Sequence, residues 1–283
     1  MMLKTLKWMK DRNLPTHLIL ILVCLVMIYP IVWWLGASLK TNAEMSLPGI
    51  FPSDPQWSNY VKGWTAIPDH TFSRFFTNSF IIELFSVTGS VATASLVAFG
   101  FARINFKFSK LWFSLLLLTM MIPSQVIVIP QYVMFFDFNW INTYLPIIVP
   151  HFFGGGGFFV FLLVQFIRSI PRELDESAKI DGCSTFGIYF RIIMPLIKPA
   201  LVTVAIYSFL WTWDDFFQQL LYINSVEKFT VGLALRLFMD SQSSVEWGQM
   251  LAMSLLSIIP SVIVFFMAQK QFIEGIATTG LKG

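Results

Sequence analysis

Charged side chains are missing from long tracts of this chain and crowded into the gaps between them. Apolar runs extend over Leu14–Leu39, Phe75–Ala102, Leu111–Phe136, Phe138–Ile167 and Trp247–Gln269, the second interrupted by Glu83. A further run, Pro199–Tyr222, is broken only by Asp214 and Asp215. Each exceeds the roughly 20 residues a helix needs to cross a hydrocarbon core. The pattern therefore predicts an all-α membrane protein of six transmembrane helices, at about 14–39, 75–102, 111–136, 141–167, 199–222 and 247–269. These form one membrane domain over residues 1–283, with a densely charged loop at 168–198 between spans four and five. The first run follows a basic segment, is long and lacks a small-residue cleavage site, so it reads as a span rather than a cleaved signal.

Composition agrees: 56% of the residues are hydrophobic, 12% are charged, and the mean hydropathy is +0.69. Placing both termini in the cytoplasm puts fourteen of the nineteen Lys and Arg on the inner side, as the positive-inside rule requires. The net charge of +3 follows from that bias and gives no reason to invoke nucleic acid. Cys24 falls in the first span and Cys183 in an inner loop, so the two cannot meet as a disulfide. No second His or Cys stands at ligand spacing from His151, which predicts no metal.

The inner loop reads as a bent helical hairpin. Pro171 suits a first helical turn, Glu173, Asp175 and Glu176 complement the positive end of the helix dipole, and Gly182 terminates the helix. Ser184 or Thr185 caps a second helix through Ile188 and Ile192, until Pro195 and Pro199 mark the entry to span five. Leu174, Ala178 and Ile180 give the first helix an apolar edge, with its carboxylates and Lys179 facing elsewhere.

This loop carries a family resemblance. The run Glu176-Ser177-Ala178, three residues, Gly182, nine residues, Ile192, one residue, Met194-Pro195 resembles the EAA signature of the transmembrane subunits of ABC importers, with Ser177 replacing alanine and Met194 replacing leucine. Asn78-Ser79, the run Met120–Tyr132, the run Phe166–Gly182, the segment from Trp211 to Leu221 and the ending Gly280–Gly283 extend the likeness over nearly the whole chain. It is nearest the carbohydrate branch, of the maltose-permease second-subunit type. The resemblance implies that the hairpin is a coupling helix seated in a groove of an ATPase subunit, with Glu176, Ser177, Ala178, Asp181, Gly182, Ile192 and Pro195 at or behind that contact. It implies a complex with a second permease, two ATPase subunits and an extracellular solute-binding protein, importing a carbohydrate across the cytoplasmic membrane. The chain contains no GxxxxGK[ST] phosphate loop, so ATP and Mg belong to the partner ATPase and this chain binds no cofactor. The tail, with Gly280 and Lys282, is expected to make a second ATPase contact, set against the alternative of a frayed terminus.

Ionisable residues inside spans usually face a cavity or protein interior. Glu83 sits roughly 12 Å from the outer end of span two and Asp215 about 24 Å from the inner end of span five. With Gln125, Tyr132, Trp211 and Trp213 they are candidates for the sugar path, offering aromatic faces and hydrogen-bonding groups. Against this stand an aromatic-belt role for the tryptophans, an interhelical hydrogen bond for Glu83 and a helix-end role for Asp215. Gly154–Gly157 predicts a flexing point or a close helix crossing in span four, and His151 beside it reads as a satisfied interior residue. Lys40–Phe72, rich in Pro and aromatic residues, reads as a folded cap; it and Ile223–Glu246 are candidate docking segments for the binding protein. An ion-coupled secondary transporter using Glu83, Asp215 or His151 is the alternative function, and a non-transporting scaffold a third.

Overall fold

The computed structural model describes residues 14–240 and 245–280. Within them the fold is helical: α1 (Leu14–Ser38), α2 (Ser58–Trp64), α3 (Phe72–Arg103), α4 (Ser109–Thr119), α5 (Ser124–Asp137), α6 (Gly157–Ser169), α7 (Glu173–Ile180), α8 (Lys198–Trp213), α9 (Phe216–Tyr222), α10 (Val231–Asp240) and α11 (Trp247–Gly280). Four helical stretches, Thr16–Ser38, Phe72–Arg103, Leu145–Ser169 and Trp247–Gln269, are long and apolar enough to cross a membrane. Two bent pairs, α4 with α5 at 99° and Thr185–Leu196 with α8 at 77°, bring the number to six if each pair is one span.

Local chemistry explains the bends. The third apolar run breaks at Pro123, which has no N–H to continue a ladder and sits at φ −59°, ψ 133°. The fifth ends at Trp213, short of the 222 that hydropathy suggested, because the Asp215 side chain accepts a hydrogen bond from Gln218 N at 3.1 Å and starts the new helix α9. In the fourth, a helical turn at Leu145–Ile148 and a tighter one at Val149–Phe153 stop at Gly154, Gly155 and Gly156, all at positive φ (98°, 62° and 110°). Glycine alone adopts such angles in succession without strain.

The chain divides into two compact units. In the first, which includes α1, α2 and the start of α11, order comes from polar loops. Asn59 Nδ2 donates to the carbonyls of Ser38 and Lys40 (2.9 and 3.0 Å), and Lys40 Nζ donates to Gly49 O (2.7 Å). Asn42 bonds both Val245 O and Trp247 N. The segment after Lys40 is therefore folded rather than a slack linker.

The second unit is built on α3. Ser90, Ala94, Ala98 and Ala102 recur every four residues along one face, all buried, and small side chains there let neighbouring helices approach closely. Phe159, Leu163, Val164 and Ile167 of α6 and Ala200 and Val204 of α8 fill the same core, with Ile188, Tyr189 and Ile193 of the intervening loop.

Candidate functional site

The loop between α6 and α8 forms the shape its sequence suggests, with one rearranged face. After α7, Gly182 takes φ 78°, its N–H bonds Lys179 O (3.0 Å), and Cys183 N bonds Ala178 O (2.8 Å). This is the left-handed cap that ends a helix, and glycine is needed for its angle. Space is not the constraint, since a Cβ at Gly182 would meet nothing within 4 Å. Ser184 then accepts from Gly187 N at 3.1 Å and starts Thr185–Ile188, which passes through a wide turn at Tyr189–Ile193.

The apolar edge expected from Leu174, Ala178 and Ile180 is divided. Ala178 is buried in the core with Ile188 and Ile193, whereas Leu174 and Ile180 are exposed. Phe186 and Phe190, which the sequence reading did not single out, join the exposed side at 71% and 60%. Their four-residue spacing after the Ser184 cap was the available signal. Glu176, Ser177, Asp181, Gly182 and Pro195 are exposed, and Ile192 is half-buried. Asp175 does not serve only the helix dipole. It is buried and pairs with Arg103, the last residue of α3, at Nε–Oδ2 2.9 Å, as a charge contact rather than an aligned hydrogen bond.

Arg103 also donates to Ile170 O (2.8 Å), while Arg172 and Arg168 reach the carbonyls of Ala102 and Phe101 (3.3 and 3.5 Å). Three guanidinium groups thus gather at the negative end of α3, where the last carbonyls have no helical partner. Further along α3, Ser95 shares a 2.7 Å hydrogen bond with Tyr189 OH, and Phe99 packs on the Tyr189 ring at 5.2 Å.

Midway along α3, Ser90 Oγ bonds His151 Nδ1 (2.8 Å) and accepts from Ser208 Oγ (3.1 Å). His151 is thereby engaged in the interior. A Cβ on Gly155 would stand 2.6 Å from Ser90 Oγ, so the glycine run provides a close approach to α3 as well as a break. Glu83 is 4% exposed; its Oε2, Ser86 Oγ and Tyr222 OH are buried without hydrogen-bond partners, and Asp214 lies within electrostatic reach of Glu83.

The other path candidates do not form one cluster. Tyr132 stacks on Tyr222 (6.3 Å) beside Ile82, whereas Trp211 stacks on Phe159 (5.2 Å) and Trp213 on Phe209 (5.4 Å). Gln125 is exposed on α5, and Asp215 caps α9. At the opposite end of α3 from Arg103, Asn78 Nδ2 donates to the carbonyls of Glu227 and Phe229, Arg74 Nε to Glu227 O, and Ser79 Oγ accepts from Val231 N. Gly280 is the final residue of α11, and Lys282 lies outside the described residues.

Comparison with known proteins places this arrangement. The galactooligosaccharides transport system permease protein GanQ of Bacillus subtilis (strain 168) is 30% identical over 96% of each chain. The probable starch degradation products transport system permease protein AmyC of Thermoanaerobacterium thermosulfurigenes is 32% identical over 93% of this chain and 94% of its own. A bacterial ABC transporter involved in the import of the acidic polysaccharide alginate has a chain of the same fold, with a TM-score of 0.81 and 20% identity over 92% of this chain and 96% of that one. The sequence pattern of the binding-protein-dependent transport system inner membrane component matches residues 89–272, from the small-residue face of α3 through the charged loop and into α11. On that match and on the full-length relatives, the chain belongs to the family of binding-protein-dependent transport inner membrane components.

Proposed function

We propose that this chain is the permease subunit of an ATP-driven importer for a sugar or oligosaccharide. One domain of six spans over residues 1–283 forms the translocation path with a second permease, and two ATPase subunits holding ATP and Mg act on it from the cytoplasm. Both termini and the Arg103 end of α3 then face the cytoplasm, and an external binding protein delivers the sugar to the other side.

The observation that carries this reading is the loop from α7 to Leu196. It leaves Leu174, Ile180, Phe186, Phe190 and Glu176 exposed while its inner face is bonded to α3. Such an element suits mechanical input: the apolar face buries against a partner, surrounding charge sets register, and the inner face is tied to α3. Relatives named for galactooligosaccharides and starch degradation products support the carbohydrate class. Closure of the ATPases pushes the loop, the path opens outward to receive sugar, and hydrolysis resets it. Glu83, Gln125, Tyr132, Trp211, Trp213 and Asp215 are the side chains offered to the sugar, and Gly280 and Lys282 a second ATPase contact. The ion-coupled alternative is less well supported, because the family is that of binding-protein-dependent transport; of its three groups Asp215 caps a helix and His151 is bonded to Ser90, which leaves Glu83.

Reconstitution with the partner subunits tests this. Uptake should need ATP and survive collapse of proton and sodium gradients; Glu176→Lys and Gly182→Pro should insert normally yet abolish it. Gradient-driven uptake by this chain alone would overturn the reading.

A further inference from the structure

The charged loop is joined to its neighbours in two different ways. Its covalent neighbours meet it at sharp changes of direction: α6 ends at Ile170, extended at φ −79° and ψ 132° before Pro171, and the helix after Thr185 meets α8 at a 77° bend. By contrast α3, which is remote in sequence, is fastened to both halves of the loop. Arg103 pairs with Asp175 at 2.9 Å and bonds Ile170 O, and Ser95 and Phe99 hold Tyr189. The ion pair is buried, with 5% and 10% of the two side chains exposed, so solvent screens it little.

At its other end α3 holds the segment from Val226 to Val231 through Arg74, Asn78 and Ser79. Between the two ends lie 32 residues of unbroken helix, about 48 Å long at 1.5 Å per residue. We propose that Arg103 and Asp175 are positioning residues that form a joint: they make α3 follow α7, so that a push on the loop is delivered along one rigid helix to the Val226–Val231 segment. The covalent route through α8 absorbs motion at its bend, and the ion-paired route transmits it. This inference rests on the coupling role proposed above.

The experiment uses the assembled transporter, with Cys24→Ser and Cys183→Ser, and spin labels on Leu96→Cys of α3 and Lys179→Cys of α7. With the pair intact, the label distance should stay narrow and unchanged between nucleotide-free and ATP-bound states. Asp175→Asn should broaden it or make it nucleotide-dependent, and lower sugar moved per ATP by about tenfold while ATP hydrolysis continues. Asp175→Glu, which keeps the charge, should recover most of that ratio. Should Asp175→Asn fail to assemble, Arg103→Lys decides the matter: it keeps the charge but loses the fork that reaches Ile170 O, and should lower the ratio. A wild-type ratio and distance in the variant that assembles would overturn the joint. If Glu176→Lys uncouples transport while these variants do not, only the joint is lost; if Glu176→Lys transports normally, the coupling role falls and the joint with it.

Discussion

Two long apolar helices in this protein have opposite relations to its interior. None of the most apolar stretch of α1 is buried, against 39% of that of α3. Hydrophobicity does not sort them, because α1 is the more apolar of the two. What α3 has and α1 lacks is a face of Asn78, Ser79, Glu83, Ser86, Gly89, Ser90 and Ser95, all buried. Where lipid already satisfies apolar side chains, small and polar residues give a helix its reason to be inside. The polar interruptions of an apolar run therefore mark the helix that is buried within its own unit, which apolarity alone does not.

The largest expected effect breaks that comparison if it is wrong. Gly155→Val would place a Cβ 2.6 Å from Ser90 Oγ and 2.8 Å from its Cα, at φ +62° where a β-branched residue is strained. Thermal unfolding of the purified chain in detergent should register a loss of about 2–5 kcal/mol. Leu22→Ala on α1, at a side chain 64% exposed, should change it by about 0.5 kcal/mol or less. Shifts of similar size from the two would mean that burial of the α3 face contributes no more than the exposed face of α1.

The same contrast separates what the sequence reveals from what it conceals. Helices for the first, second and last runs were legible because each run, even the one holding Glu83, is unbroken by a proline or glycine stop that ends the helix. The cap at Ser184 and the stop at Gly182 were legible because each is local backbone chemistry within a few residues. The bend at Pro123 was not anticipated, since hydropathy counts residues and is blind to a missing N–H; it likewise carried span five to residue 222, although the helix-end role weighed for Asp215 fits its bond to Gln218 N. The partners of Asp175 and Tyr189 lie 72 and 94 positions away, and no local pattern pairs them. Among the path candidates, residue type does not tell which ring lies against which. Trp211 lies against Phe159 and Tyr132 against Tyr222, in separate clusters.

An intermediate effect sharpens the comparison at the C-terminal end of α1. Ser38, at its C-terminal end, is fully buried, and Asn59 ties the carbonyls of Ser38 and Lys40. Asn59→Ala leaves both carbonyls short of a donor and should cost about 1–2 kcal/mol. Hydrogen exchange should accelerate at the amides of residues 38–42 while the α3 amides between Ser90 and Ala102 keep their protection. Equal acceleration in both would mean that α1 and α3 open together.

The smallest effect concerns Glu44, in the loop that follows α1. Its carboxylate accepts from Thr41 N (3.3 Å), Thr41 Oγ1 (3.2 Å) and Ser53 N (3.2 Å). The Thr41 backbone bond, then the Ser53 backbone bond, hold its pKa below the ordinary glutamate value, with a lesser contribution from Lys40. A carboxyl whose folded pKa lies below its unfolded one binds more protons when unfolded. Its contribution is therefore present above the unfolded value and fades as pH falls from there through the lowered folded value. Glu44→Gln removes that dependence. Because the group is fully exposed, the difference should be small: between about pH 5 and pH 3.5, the wild-type melting temperature should fall slightly more steeply than that of the variant. Parallel slopes would mean that the Thr41 and Ser53 bonds do not persist in solution. The loop after α1 would then be held by Asn59 and Lys40 without help from Glu44.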